Sequence, residues 1–414
     1  MIKIKSIKRY ILTFLKWIAI AGLTGICGGI TGSFFHMSVQ YATGLREENN
    51  WILYTLPLLG LVIVWLYKKG RCSKGLDTNL VIDSVRSDGD VPLAMGPLIF
   101  ISTVLTHLAG GSAGREGAAL QLGGSIGSQI GKTLHLDQTD MHCITLCGMS
   151  AVFSALFGTP LTAAFFAMEV ISIGIFYYSN FIPCIVAALT AYKISLMFGL
   201  APVKYKLYNI PQLTAENIVK VSVLGVLCAI ISIVFCEALH KTAKVAKAKI
   251  PNEYIRVFIG GLTIVVLTII VGCRDYNGAG MNIIQNAING NAKYEAFILK
   301  ILFTAITIGV GYKGGEIVPT FFVGATFGCI AGKMIGIDPG FAAAVGVVAL
   351  FCGVVNTLIS SIILSIELFG ANGIVLFAVA CGVSYMLSGY YSLYASQKIV
   401  YSKIKSEFVN RSAE

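Results

Sequence analysis

Glu116 is the residue with the clearest capacity for chemistry. It lies in a glycine-rich segment, residues 110–121, that is flanked on both sides by strongly apolar sequence. A carboxylate at membrane depth is costly unless it is paired or lines an aqueous or ion pathway. The glycines let the backbone come close to whatever lies beside the carboxylate. A helix that starts there turns its first free N–H groups toward an anion. The segment therefore combines an acid that can carry a proton with a backbone that can hold an anion.

The composition predicts that these groups lie in a lipid bilayer. Of the 414 residues 56% are hydrophobic and only 12% are charged, whereas soluble domains carry about 25% charged residues. Several apolar runs approach the roughly 20 residues that span a bilayer, and others are shorter or interrupted by Gly and Pro. The runs fall near residues 10–35, 52–67, 92–110, 141–177, 181–200, 216–237, 257–273, 298–311, 317–334 and 340–388. We therefore expect an all-α polytopic membrane protein with tilted and partial helices and no soluble regulatory domain.

The net charge of +11 indicates topology rather than nucleic-acid binding. Lys and Arg cluster at residues 3–16, 68–74, 241–256 and 398–405, and short basic loops stay on the cytoplasmic side. The acidic turn at residues 46–50 then faces outside. We expect a multi-pass protein of the inner (plasma) membrane with both termini cytoplasmic and no nucleic acid as a partner.

Cysteine and histidine spacing predicts neither a disulfide framework nor a metal site. The eleven Cys are scattered without a CxxC pair, and the five His have no ligand spacing. We expect no cofactor. His107, nine residues before Glu116, is an additional candidate for the proton path.

One segment allows an enzymatic interpretation. Residues 127–133 resemble a nucleotide-binding P-loop, but the segment is one residue short of the motif and no strand precedes it. A membrane ATPase is therefore the weaker alternative, and we expect a protein that is not an enzyme.

The chain repeats itself. Three blocks of the first half recur in the second half in the same order, at offsets between 198 and 203 residues: 75–81 with 278–284, 114–118 with 315–319, and 161–169 with 359–367. Such repeats are typical of transporters whose substrate site lies at the repeat interface near the membrane midplane. We predict two membrane repeats, residues 1–210 and 211–414.

These segments resemble the CLC family of chloride channels and proton-coupled anion antiporters. Four segments carry the resemblance: 114–118 is similar to the GREGP signature with Ala118 in place of Pro, 315–319 to GxFxP, 158–169 to APLAG…FxxE, and 392–395 to the tyrosine segment near the end of the membrane domain. The resemblance implies the CLC fold of two inverted-topology repeats with tilted and discontinuous helices. It also implies a homodimer with one pore per subunit.

The resemblance also implies roles for individual residues. Glu116 resembles the gating glutamate, which competes with the anion and takes up a proton. Gly117, Ile317 and Val318 resemble residues at the anion site, the last two through their backbone N–H groups. Tyr394 resembles the hydroxyl that borders the inner anion site.

The chain departs from the chloride branch of the family at three places. Asp77, Thr78 and Asn79 replace the serine loop that helps bind chloride, so Thr78 and Asn79 become the candidate anion ligands, and Asp77 either turns away or helps discrimination. Val170 stands where chloride antiporters carry an inner proton-transfer Glu, and Glu316 adds an acid to the second signature. These departures resemble the branch of bacterial fluoride/proton antiporters, with fluoride and protons as the transported ions. A chloride channel or chloride/proton exchanger is the alternative.

Each highlighted residue also has a purely structural interpretation. The structural alternatives are a Glu116–Arg115 pair, a Glu316–Lys313 pair on a solvated loop, an interfacial aromatic at Tyr394, helix caps at Asn79 and Asn282, and capping acids at Glu169 and Glu367.

Overall fold

The computed structural model describes residues 2–70, 77–87 and 89–413, with side chains from residue 7 onward. Gly75 and Leu76 of the first repeated block, and residues 71–74 of the second basic cluster, lie outside the described residues. The described residues form sixteen α-helices: α1 Ile2–Glu48, α2 Leu56–Lys69, α3 Thr78–Arg86, α4 Met95–Leu108, α5 Glu116–Thr133, α6 Gln138–Phe157, α7 Pro160–Glu169, α8 Phe181–Met197, α9 Ala215–Lys249, α10 Glu253–Val271, α11 Met281–Ile288, α12 Ala296–Val310, α13 Ile317–Ile335, α14 Pro339–Val355, α15 Leu358–Phe369 and α16 Ile374–Leu387. They also form three strands: β1 Ser172–Ile173, β2 Lys398–Tyr401 and β3 Phe408–Ser412.

Helix length and burial confirm the polytopic α-helical prediction. Among the described residues, seven helical segments are long and apolar enough to cross a membrane, and five further apolar helices are shorter. The long helices α1, α9 and α10 expose many large apolar side chains, as lipid-facing helices do, whereas α6 and α13 are mostly enclosed by protein. The segment 127–133 is part of helix α5, so it does not form a phosphate-binding loop.

Glycines bring two pairs of helices into backbone contact, one pair in each half. A Cβ atom at Gly123 of α5 would lie 2.3 Å from the carbonyl oxygen of Gly148 in α6. In the second half, a Cβ at Gly324 of α13 would lie 2.3 Å from the carbonyl oxygen of Gly346 in α14. Small residues of this kind let membrane helices pack closely. The matched crossings agree with the sequence offsets, while the boundary at residue 210 stays a prediction.

Glu169 and Glu367 each hydrogen-bond to the start of a helix in the other half of the chain, as predicted for capping acids. Glu169 at the end of α7 accepts hydrogen bonds from the N–H groups of Ile359 (3.0 Å) and Ser360 (2.8 Å) at the start of α15. Glu367 in α15 accepts from the N–H groups of Leu161 (3.0 Å) and Thr162 (2.8 Å) at the start of α7. Each acid satisfies orphan donors of the other half and complements that helix's positive end.

A small sheet, absent from the sequence prediction, joins the chain's end to the first half. Strand β2 pairs in parallel with the two-residue strand β1 and antiparallel with β3. Strands this short carry too few alternating positions to be recognised beside long apolar helices.

We expect Glu169→Gln and Glu367→Gln each to lower the free energy of unfolding by about 1–3 kcal/mol. An amide has only one oxygen to accept, so its NH₂ group faces the second backbone N–H and leaves that group unpaired. The measurement is the midpoint of thermal unfolding in detergent. Glu216→Gln is the control, since Glu216 forms an exposed pair with Lys220 and such pairs contribute little. Equal midpoints for all three variants would refute the capping role.

Candidate functional site

A pair of backbone hydrogen bonds joins the two glycine-rich signatures. The N–H of Gly114 donates to the carbonyl oxygen of Gly315 at 2.6 Å, and the N–H of Gly315 donates to that of Gly114 at 2.7 Å. Helices α5 and α13 begin at Glu116 and Ile317, within two residues of this bridge. The first turns of the two helices are therefore neighbours, and each has N–H groups without a partner inside its own helix.

Glycine is required at the bridge by close backbone approach. A Cβ atom at Gly315 would lie 2.4 Å from the backbone nitrogen of Gly117, and one at Gly114 would lie 2.6 Å from Oε2 of Glu116. Real Cβ contacts are not this short. A larger residue at position 315 would therefore separate the two helix starts, and one at position 114 would displace the Glu116 carboxylate.

Glu116 is fully buried at the start of α5. Its Oε2 accepts a hydrogen bond from the Arg115 N–H at 2.9 Å. Its Oε1 lies 3.4 Å from Nε of Arg115 and has no hydrogen-bond partner among the described residues. The predicted pairing with Arg115 is therefore present, and it leaves one carboxylate oxygen available for a proton.

Glu316 lies on the other side of the bridge. Its Oε2 is buried without a hydrogen-bond partner among the described residues, and it would be only 2.8 Å from a Cβ atom at Gly117. Among the described residues Lys313 forms no ion pair within 4.0 Å, and Oε2 of Glu316 is buried against Gly117, so the alternative of an exposed Glu316–Lys313 pair on a solvated loop is wrong. Glu316 is an acid packed against the backbone of the Glu116 helix.

A cavity of about 360 Å³ opens beside Glu316. The side chains that matter for its chemistry are Tyr67, Asp77, Thr78, Asn79, Gln121, Lys313, Glu316 and Tyr394. Four of the predicted site residues, Thr78, Asn79, Glu316 and Tyr394, therefore meet at one space. Glu116, Gly117, Ile317 and Val318 do not line this cavity; they are buried in the first turns of α5 and α13 beside it.

Thr78 connects the cavity to the Glu116 helix. Its Oγ1 lies 3.4 Å from the carbonyl oxygen of Gly117 and accepts a hydrogen bond from Nε2 of Gln121 at 3.1 Å. Oε1 of Gln121 is buried without a hydrogen-bond partner within the described ranges. The sequence analysis did not identify Gln121, although its place four residues after Gly117, on the same face of α5, is the signal for it.

Asn79 holds a neighbouring segment in place. Its Oδ1 accepts from the N–H of Ser396 at 3.0 Å and its Nδ2 donates to Oδ2 of Asp77 at 3.3 Å. The residue that caps α3 is Asp77, whose Oδ1 accepts from Leu80 N–H at 3.3 Å, and α11 is preceded by Gly280 as its cap. The alternative interpretation of Asn79 and Asn282 as helix caps is therefore wrong.

Tyr394 presents a buried hydroxyl with no hydrogen-bond partner in the described part of the chain. Its backbone is fixed: its N–H donates to Oγ of Ser392 at 3.1 Å, and that hydroxyl donates to Oε1 of Gln397 at 2.8 Å. An unpaired buried polar group costs about 1–3 kcal/mol. This hydroxyl can therefore donate to a group that enters the cavity. The alternative of an interfacial aromatic is wrong because the Tyr394 side chain is buried in the protein.

His107 supports the backbone of the glycine loop. Its ring Nε2 lies 3.1 Å from the carbonyl oxygen of Gly114, the residue that forms the bridge. Its backbone carbonyl accepts a hydrogen bond from Arg46 at 3.0 Å. These contacts give His107 a structural task beside Glu116.

Comparison with known proteins identifies the family. The model of the family described as "Voltage gated chloride channel" matches residues 59–389. The chain belongs to the CLC family. A chloride/fluoride channel protein of Pseudomonas syringae pv. tomato is 34% identical over 396 residues, which cover 94% of this chain and 87% of that protein. An H(+)/Cl(-) exchange transporter of Vibrio vulnificus is 23% identical over 84% of this chain and 81% of its own length.

Solved structures agree. The crystal structure of a CLC-type fluoride/proton antiporter superposes with a TM-score of 0.89 at 31% identity, covering 92% of this chain and 98% of that one. A slow cyanobacterial Cl-/H+ antiporter superposes with a TM-score of 0.76 at 19% identity, over 90% and 94% of the two chains, and shares the fold. The predicted CLC fold is confirmed, and the chain is a multi-pass CLC-type anion transporter.

Gly117→Ala tests the contact between the two halves. The added Cβ would meet Oε2 of Glu316 at 2.8 Å and Cα of Gly315 at 3.0 Å, and displacement of a reacting group by about 1 Å can cost about 10²-fold in rate. We expect anion efflux from liposomes to fall by about that factor. Gly22→Ala is the control because nothing lies within 4 Å of its added Cβ. Wild-type efflux in Gly117→Ala would argue against the contact.

Proposed function

We propose that this transporter is a fluoride/proton antiporter that exports fluoride across the inner membrane. The observation that carries the proposal is the pair of acids beside the glycine bridge, one in each half, each with a carboxylate oxygen that lacks a hydrogen-bond partner among the described residues. The 34% identical chloride/fluoride channel protein and the 31% identical fluoride/proton antiporter support it.

The arrangement suits fluoride. Fluoride is small and holds its hydration shell tightly, so a site must replace that shell with strong donors. The first N–H groups of α5 and α13, which include those of Gly117, Ile317 and Val318, are such donors. The Tyr394 hydroxyl adds another donor. The Thr78 hydroxyl donates to the Gly117 carbonyl oxygen and becomes a donor to the anion when it turns away from that oxygen. A protonated carboxyl beside fluoride makes a short, charge-assisted hydrogen bond.

The two acids divide the proton's route. Glu116 competes with the anion for the N–H groups when it is ionised, and it vacates the site when a proton neutralises it. Glu316 borders the cavity and packs against the Gly117 backbone. It replaces the inner acid of chloride antiporters, whose position is taken here by the buried side chain of Val170. One proton then passes between Glu316 and Glu116 while an anion moves the other way.

Export has a physical reason. Hydrogen fluoride enters a cell as a neutral molecule and dissociates inside, and proton-driven efflux opposes that accumulation. The proposal includes a homodimer with one pore per subunit, both termini in the cytoplasm and the cavity beside Glu316 open to the same side, because the basic residues Lys68 and Lys247 line it. A chloride channel or chloride/proton exchanger is the runner-up, favoured by the word chloride in the name of the 34% identical relative.

Selectivity separates the two candidates. With equal outward gradients in matched liposomes, we expect fluoride efflux to exceed chloride efflux by at least about tenfold, because strong donors favour the smaller anion. Ion-selective electrodes measure both. Chloride efflux equal to or faster than fluoride efflux would favour the runner-up. In a fluoride-sensitive bacterium, expression should raise tolerance most in acidic medium.

Glu116→Gln is expected to uncouple the ions, since an amide neither releases nor accepts a proton at the anion site. Fluoride flux then either stops or becomes passive, and proton movement driven by a fluoride gradient falls to the level of empty liposomes. A pH-sensitive dye reports it. The proposed role is wrong if the variant still drives protons against their gradient.

Glu316→Ala removes the second acid without adding bulk. We expect proton-coupled fluoride transport to fall by about tenfold or more, with an unchanged elution volume in size-exclusion chromatography. Glu216→Ala, at an exposed acid of α9, is the matched control. Near-normal coupled transport in Glu316→Ala would direct the search for the proton path to His107 or Glu169.

A further inference from the structure

We propose that Lys313 forms a separate anion-binding site in the cavity, where fluoride waits on the cytoplasmic side before it reaches Tyr394 and the helix starts. The inference rests on the proposed function for the identity of the anion. It assigns a task to a cation that the transport mechanism above does not use.

Most cations of the cavity are already engaged or lie at its rim. Nζ of Lys68 lies 3.8 Å from Oε2 of Glu253. The Arg256 guanidinium donates to the carbonyl oxygens of Val310 and Ile250, each at 3.2 Å. Lys247 is exposed in the last turn of α9. Arg256 is satisfied by backbone carbonyls, whereas Lys313 lines the cavity with neither a hydrogen bond nor an ion pair within 4.0 Å among the described residues.

The position of Lys313 is set by an aromatic ring. Its Nζ lies 4.5 Å from the centre of the Tyr67 ring. A cation–π contact of this kind orients an ammonium group without neutralising its charge. Because a partly buried charge is stable only when it is paired, an ammonium held in this way favours an anion beside it.

The surroundings of Lys313 select a small inorganic anion. An ammonium group is a compact point charge that suits a single hard anion. The Tyr394 hydroxyl, also without a partner in the described ranges, offers a second donor in the same cavity. Three acids line the same cavity. Glu253 is paired with Lys68 and Oδ1 of Asp77 is engaged with Leu80 N–H. Glu316 repels the anion when ionised and donates to it when protonated. Lys313 therefore offsets acidic charge at the point where the anion and proton routes meet.

The test is the fluoride concentration dependence of efflux from liposomes. For Lys313→Met we expect the apparent KM for fluoride to rise about five- to tenfold, because the cavity loses a positive charge that attracts the anion. The rate at saturating fluoride and the number of protons moved per fluoride should stay within about twofold of wild type. Lys313→Arg should keep the wild-type KM, since it keeps the charge. Lys249→Met is the control, because Lys249 is exposed in the same turn as Lys247 and does not line the cavity.

Added inert salt gives an independent measurement. The apparent KM of wild type should rise with ionic strength, because salt screens an attracting charge, and that of Lys313→Met should change less. An unchanged KM in Lys313→Met overturns the proposal. An unchanged KM with altered proton coupling also overturns it, since Lys313 would then act on Glu316 instead of the anion.

Two further measurements cover the cases in which Lys313→Met does not fold or the protein does not prefer fluoride. If Lys313→Met aggregates, Lys313→Gln replaces it in the same concentration series. If wild type carries chloride in preference to fluoride, the proposed function fails, and the same variants are then compared over a chloride series. A raised KM for chloride in Lys313→Met would still support the site.

Discussion

The two hydrogen bonds between Gly114 and Gly315 are the constraint on which the site depends. They fix the starts of α5 and α13 side by side, so that N–H groups from both halves of the chain face one small region. They also constrain the separation of the two acids, because Glu316 follows Gly315 directly and Glu116 lies two residues after Gly114. Any side chain larger than hydrogen at these glycines would meet backbone or carboxylate atoms at 2.4–2.6 Å.

The rest of the fold keeps that bridge in register. The glycines of the helix crossings bring α5 into backbone contact with α6, and α13 into backbone contact with α14. Beside it, Glu169 and Glu367 each cap a helix of the opposite half, so neither half can shift without breaking charge-assisted hydrogen bonds. On the cavity side, Asn79 fixes Ser396 and the Ser392–Gln397 network fixes Tyr394. Precise placement of this kind is what a site needs when it replaces the hydration shell of a small anion.

Part of this arrangement is predictable from sequence. The glycine-rich segment around Glu116 recurs at residues 315–319. Because internal repeats place substrate sites at their interface, this recurrence predicts that the two segments meet. The capping roles of Glu169 and Glu367 follow from their equivalent places at helix ends. Sequence does not determine which of several polar neighbours is engaged. Asn79 holds Ser396, which lies more than 300 positions along the chain, so this contact depends on tertiary packing. Asp77 then caps α3 through a local contact with the Leu80 N–H.

Residues that the sequence missed share a physical feature. Gln121 was not identified, and Lys313 was considered only as a partner of Glu316. Both line the cavity, and exposure to a cavity is a property of three-dimensional packing that no local pattern records. The three-stranded sheet was missed for a similar reason, since a two-residue strand acquires its identity only from the strand beside it. The alternative of an exposed pair between Glu316 and Lys313 was wrong because the fold packs the Glu316 carboxylate against the Gly117 backbone.

The central claim is that one site exchanges an anion for a proton, and the direct measurement is made on the wild-type protein in liposomes. An outward fluoride gradient is imposed with equal pH on both sides and the membrane potential clamped at zero by a potassium ionophore. We predict that protons move inward with a fixed ratio to fluoride and acidify the lumen until an opposing pH gradient stops the exchange. Fluoride efflux without proton movement under these conditions would contradict the account.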